Sequence, residues 1–126
     1  MRDVITAIII LVLIISISVT FYCLSMNFCN DMSENLLLAK EAVEAGDYTL
    51  AAKYSQNCID ILEKSNLWLS AMANHEELNS IKTGILRAQQ FIAFGDDEET
   101  MAELGEVSGL INHFAASEQI SVENIF

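Results

Sequence analysis

The stretch WLSAMANHEELNSI, residues 68–81, puts a histidine beside two glutamates. Such a trio can bind a metal, work as an acid/base pair, or open a helix. A zinc protease motif needs a second histidine one turn on, so that both imidazoles share a helix face. Position 79 is Asn79, and the only other histidine is His113. Two imidazoles do not complete a tetrahedral site. The helix-start reading uses every residue. Asn74 followed three residues later by Glu77 has capping-box chemistry, and Glu76 and Glu77 lie where a new helix dipole is positive.

The second acidic group, Asp96, Asp97, Glu98 and Glu99, reads the same way. A calcium loop alternates its acids with other residues and turns on an internal glycine, and four consecutive acids do neither. In Gly105-Glu-Val-Ser108-Gly109 the serine stands one place too late for a nucleophile elbow. The chain has no phosphate-cradling glycine loop and no Cys-x-x-Cys pair. No catalytic residue, metal ligand or cofactor site is assigned, and the chain is read as no enzyme. Trp68, His75, Glu76 and His113 remain the candidate positions for an interaction or a ligand. Trp68, Tyr54 and Phe91 could line a pocket, but at helical spacing they read first as core.

The elements that carry these residues begin with a long apolar run. Val4 to Leu24 reads VITAIIILVLIISISVTFYCL, 21 residues without a charge, fourteen of them Val, Ile, Leu or Phe. As a helix it spans about 31 Å, the hydrocarbon thickness of a bilayer. Thr6, Ser16, Ser18 and Thr20 can bond back to the helix's own carbonyls. A cleaved signal peptide is the rival, with small residues two apart at Ser16/Ser18 and Cys23/Ser25. The run exceeds the usual apolar core of a signal sequence, however, and Arg2 beside Asp3 makes a thin positive flank. The expectation is an uncleaved anchor. Arg2 precedes the span and no Lys or Arg follows before Lys40, so residues 1–3 are expected in the cytoplasm and the remainder outside. Three residues are too few for a cytoplasmic output domain, so inward signalling would need a membrane partner.

From residue 31 the periodicity is helical. Met32, Leu36, Ala39 and Val43 form a first stripe within a 25–46 stalk and first helix, which either stands alone or continues the span. Gly46 and Asp47 suit a helix end and the next helix start. Ala51, Cys58, Ser65 and Met72, with Tyr54, Ile61 and Trp68 three further on, predict one helix of about seven turns, widened by Leu62 and Leu69. The phase breaks before His75 and restarts with Leu78, Ile81, Ile85 and Ile92. A fourth helix follows Phe94-Gly95-Asp96 with Met101, Leu104, Val107, Ile111 and Phe114 inward. Ile125 and Phe126 are expected to dock on the bundle. The fold class expected is all-α, an N-terminal transmembrane helix and then a small antiparallel bundle over 47–126. "EAGDYTLAAKY" and "AFGDDEETMAEL" echo each other 49 residues apart, the wrong spacing for a tetratricopeptide array.

The 126 residues carry 18 acids against 6 bases, a net charge of −12. Phosphate backbones and anionic lipid would repel such a surface, so nucleic acid is excluded as a partner. A basic protein surface or a divalent cation fits better. Cys23 and Cys29 rise about 9 Å apart along a helix, beyond disulfide reach. Cys29 could pair with its copy in an oligomer, and Cys58 reads as a small core hydrophobe.

The order of the N-terminal span, Trp68, His75-Glu76-x-Leu78, Gly95-Asp96, Leu104/Ile111-His113 and Val122-Glu123-Asn124-Ile125-Phe126 resembles a family. It is that of small single-pass membrane proteins of clostridia-like Gram-positive bacteria, catalogued as a domain of unknown function. The resemblance implies a helical extracytoplasmic domain with no assigned activity or cofactor. The function expected is therefore a membrane-anchored interaction module that touches lipid through residues 4–24 and binds or scaffolds another envelope protein. The alternative is a small-ligand or cation sensor acting through a membrane partner.

Overall fold

A computed structural model describes the backbone of residues 1–72 and 74–125, and the side chains of 1–71 and 74–117. Four helices account for nearly all of it: α1 (Arg2–Glu44), α2 (Tyr48–Met72), α3 (His75–Phe94) and α4 (Asp97–Ile125). There is no strand among the described residues. Each helix packs on its neighbours in the order α1–α2–α3–α4–α1. The short connections make consecutive helices antiparallel, and the result is an up-down-up-down bundle.

α1 is a single rod of 43 residues, about 64 Å long. Without a proline or glycine inside it, nothing in its sequence breaks the ladder. Its two ends live differently. Every residue from 1 to 17 is exposed, and this is the one helix long and apolar enough to cross a membrane among the described residues. Thr6, Ser16 and Thr20 donate to the carbonyls of Arg2, Val12 and Ser16 at 3.0, 2.8 and 2.8 Å, which hides their hydroxyls along the rod. From Ser25 onward α1 becomes one wall of the bundle, burying Phe28, Cys29, Met32, Leu36, Ala39, Ala42 and Val43.

The turns at the far end repeat one device. Gly46 and Gly95 take φ of +75° and +71°, the left-handed region that glycine enters without a side-chain clash. The amides of Asp47 and Asp96 then close on Ala42 O at 2.9 Å and Phe91 O at 3.0 Å. Both aspartates cap the next helix, Asp47 Oδ1 accepting from Leu50 N at 3.1 Å and Asp96 Oδ1 from Glu99 N at 3.2 Å. The sequence expectation for these positions holds.

The main core joins Phe28, Met32 and Leu36 of α1 to Cys58, Leu62 and Leu69 of α2, Ile81 and Ile85 of α3, and Leu104, Val107, Ile111 and Phe114 of α4. A smaller cluster at the far end holds Ala42, Val43, Ala51 and Ile92. The stripes on α1, α3 and α4 are the expected ones. On α2 the buried centre is Ser55, Cys58, Leu62 and Leu69, while Tyr54, Ile61 and Trp68 lie at its half-buried edge. The side chain of Met72, and the expected docking of Ile125 and Phe126, lie outside the described residues.

Candidate functional site

The α2–α3 turn carries two of the four candidates. Asn74 caps α3 by accepting from Glu76 N at 2.9 Å. The capping box expected from Glu77 is only half made. Asn74 serves the second helical amide instead of the third, and Glu77 Oε1 is buried without a hydrogen-bond partner. Turned inward, that carboxylate oxygen has left the amide it was expected to reach.

His75, the first residue of α3, is exposed and lines a cavity of about 310 Å³ between α2 and α3. Leu62, Leu69 and Leu78 supply its apolar wall, and Glu63, Asn66, Asn79 and Lys82 its polar one. Apolar walls with a few convergent polar groups are what a small-molecule site needs. Glu76 and His113 are exposed and line neither this cavity nor the others described here. Among the described residues no three His, Cys, Asp or Glu side chains are grouped to hold a metal ion.

Trp68 lines a separate cavity of about 240 Å³ between α1 and α2. Its indole meets the Phe28 ring edge to face, centroids 6.0 Å apart, and Phe28 meets Phe114 the same way at 5.9 Å. The structure therefore splits the candidates: His75 belongs to one groove, Trp68 to another, and Glu76 and His113 to open surface. The charged residues of these grooves, Glu63, Lys82, Asp31 and Lys64, escaped the sequence reading. Asp31 shares a helix face with Leu24, Asn27 and Phe28 on α1, and Lys64 with Ile61, Ser65 and Trp68 on α2, but which face meets which is set by the register between helices.

The remaining polar contacts fix the register of the helices. Tyr48 donates its hydroxyl to Asp97 Oδ1 at 2.6 Å, which raises the phenol above its ordinary value, with desolvation and the carboxylate's charge adding to the shift. Asn57 Nδ2 donates to Asn35 Oδ1 at 3.3 Å, and Gln89 Nε2 to Gln56 Oε1 at 3.1 Å. Arg87 Nε pairs with Glu103 Oε1 at 3.2 Å. Cys58 lies fully inside the core, and burial pushes its thiol up to about 12. Cys29 is 4% exposed in the same core, out of reach of the neighbouring chain considered from the sequence.

A family model described as "Domain of unknown function (DUF4363)" matches residues 20–125. No curated protein and no solved structure matches the chain. The chain belongs to that family.

Proposed function

We propose that this member of a family of unknown function is a membrane-anchored helical module that holds another envelope protein through its bundle and performs no catalysis itself. The observation that carries the reading is the continuity of α1. A bare apolar rod, exposed from residue 1 to 17, runs without a break into a helix whose last turns are core. A bare stretch with this hydropathy wants lipid around it. The rigid join carries any force on the bundle straight to the membrane segment. The flanking charges, Arg2 before the span and no Lys or Arg after it until Lys40, favour a cytoplasmic N-terminus with the bundle outside.

The acidic surface favours a partner with a basic face, and the exposed His75, Glu76 and His113 are the positions to probe for contact. Crosslinking in native membranes followed by mass spectrometry tests the reading, and recovery of a specific envelope protein is the expected result. Recovery of free monomer alone would count against it. A single cysteine placed on the bundle and labelled from outside intact cells checks the orientation.

The cavity beside His75 favours a second reading, a small-ligand or cation sensor. A ligand that binds only the folded state raises the melting temperature. The shift would vanish in His75→Ala, whereas a shift that survives the substitution removes this cavity from consideration.

A further inference from the structure

We propose that the bundle sits directly on the bilayer, with no stalk between them, and that its α2–α3 turn, carrying Asn74, His75 and Glu76, is seated in the lipid headgroup layer. The proposal rests on the anchor reading and deepens it by assigning the bundle a membrane-facing surface. Register between helices places the turn. Trp68 meets Phe28 edge to face, and α2 runs antiparallel to α1. Asn74, six residues past Trp68, therefore lies about level with Tyr22, six before Phe28. Beneath it the uncharged part of α1 is residues 4–21, 18 residues or about 27 Å. A hydrocarbon core of about 30 Å takes up all of that length. Nothing is left over to lift the turn clear of the lipid. Its polar side chains are exposed, which keeps it out of the acyl chains. The headgroup layer is the level that satisfies both.

The backbone of α4 reaches farther still. Phe114 meets Phe28, so Ile125, eleven residues on, lies level with Ile17, eleven before Phe28. α4 thus runs beside residues 18–24, where α1 first shows a covered face: Ser18, Phe21 and Tyr22 are half-buried and Ser25 is buried, after seventeen fully exposed residues. The top of the apolar run belongs to the bundle on one side and to lipid on the other. Charge follows the same axis. No Asp, Glu, Lys or Arg occurs in residues 4–30 of α1, 65–72 of α2 or 107–117 of α4. The acids left at the membrane end are Glu76 and Glu77 on α3 and Glu118 and Glu123 on α4. Glu41, Glu44, Asp47 and the four acids of residues 96–99, seven of the 18 in the chain, gather at the opposite end. That end stands about 30 Å from the turn, several times the roughly 8 Å over which a charge is felt in physiological salt. A domain of net charge −12 can therefore rest on a bilayer without presenting most of its acid to the lipid.

Nitroxide labels in the full chain, reconstituted in phosphatidylcholine vesicles, test the seating. His75→Cys and Glu76→Cys mark the turn, Ala45→Cys the far end and Ile10→Cys the apolar run, all at exposed positions. Each is made with Cys23→Ser, because Cys29 and Cys58 are buried. Accessibility to a water-soluble nickel chelate is expected to be at least fivefold lower at the two turn positions than at Ala45→Cys. Their accessibility to oxygen should stay below that of Ile10→Cys. Turn labels as open to the chelate as Ala45→Cys overturn the proposal, since the bundle would then stand off the membrane. Turn labels as open to oxygen as Ile10→Cys overturn it too, since the turn would then lie among the acyl chains. Alkaline extraction of native membranes separates this result from the anchor reading. A chain released by carbonate takes away both, whereas a retained chain whose turn is open to the chelate sinks the seating alone.

Discussion

Gly84 and Val107 mark a close approach of α3 to α4: a β-carbon added to Gly84 would fall 2.5 Å from Val107 Cγ2. Val107 is 0% exposed, and a β-branched side chain in a helix has essentially one comfortable rotamer, so it cannot swing aside. Gly84→Ala gains about 1 kcal/mol of helix propensity but overpacks at a cost of about 1–3 kcal/mol. A net loss of up to about 2 kcal/mol is expected in thermal unfolding followed by circular dichroism. Val107→Ala in the same chain should recover part of it, a non-additivity that identifies the contact. Gly105→Ala, with nothing within 4 Å of the added carbon, should instead stabilise by up to about 1 kcal/mol.

The cap of α3 offers an independent check. Asn74 Oδ1 accepts from Glu76 N, and Glu77 does not complete the box. Asn74→Ala should therefore cost about 0.5–2 kcal/mol, the range for losing one cap. Glu77→Gln removes a charge whose Oε1 is buried without a partner and should cost less than Asn74→Ala. Urea melts of the two variants side by side decide the order.

Much of this fold was legible because each helix writes its buried face in a 3.6-residue period. Met32/Leu36/Ala39/Val43, Ile81/Ile85/Ile92 and Leu104/Val107/Ile111/Phe114 are all inward, and the two Gly-Asp joints ended helices where they were expected to. On α2 the expected Ala51, Cys58, Leu62 and Leu69 are inward as well. Tyr54, Ile61 and Trp68 pack against the core from a half-buried edge, and Ser55, which no apolar period marks, is fully inside. The grooves were not legible. That Leu24 shares a groove with Trp68, or Glu63 with His75, depends on the register between helices, and each pairing is long-range. No local period contains it. His75 and Trp68 were chosen for their chemistry, and only the packing revealed that they serve different cavities.

Tyr48 and Asp97 tie the start of α2 to the start of α4 at 2.6 Å. The hydrogen bond holds the phenol above its ordinary value of 10.0 in the folded state. A group whose folded value is raised contributes stability that is intact below its unfolded value. That contribution is lost as pH climbs through the folded one. The tie should thus be unaffected by pH up to about 9 and weaken above 10. The pair is exposed, so the effect is small and screened by salt. The difference in melting temperature between the native chain and Tyr48→Phe should be constant at neutral pH and shrink in alkali. A difference that grows above pH 10 would contradict the hydrogen bond's direction.

Cys58 and Cys23 bear the same thiol in opposite surroundings. Cys23 is exposed, whereas Cys58 on α2 is 0% exposed in the four-helix core, and burial raises it from 9.0 to about 12. At pH 8 roughly one Cys58 in ten thousand would be thiolate, the form that attacks an alkylating reagent. Burial removes access as well, so modification has to wait for the bundle to open. Iodoacetamide should therefore label Cys23 promptly in detergent and leave Cys58 untouched until urea unfolds the domain. The same shift has a thermodynamic consequence. The unfolded thiol ionises from about pH 9 while the folded one stays protonated to about 12, so the native state loses ground across that window. Cys58→Ala should flatten this part of the alkaline stability curve even though the smaller side chain lowers stability at neutral pH. Peptide mapping by mass spectrometry reads the first outcome and denaturant melts at pH 8 and 11 the second. Prompt labelling of Cys58 in the folded chain would place α2 elsewhere than against α1.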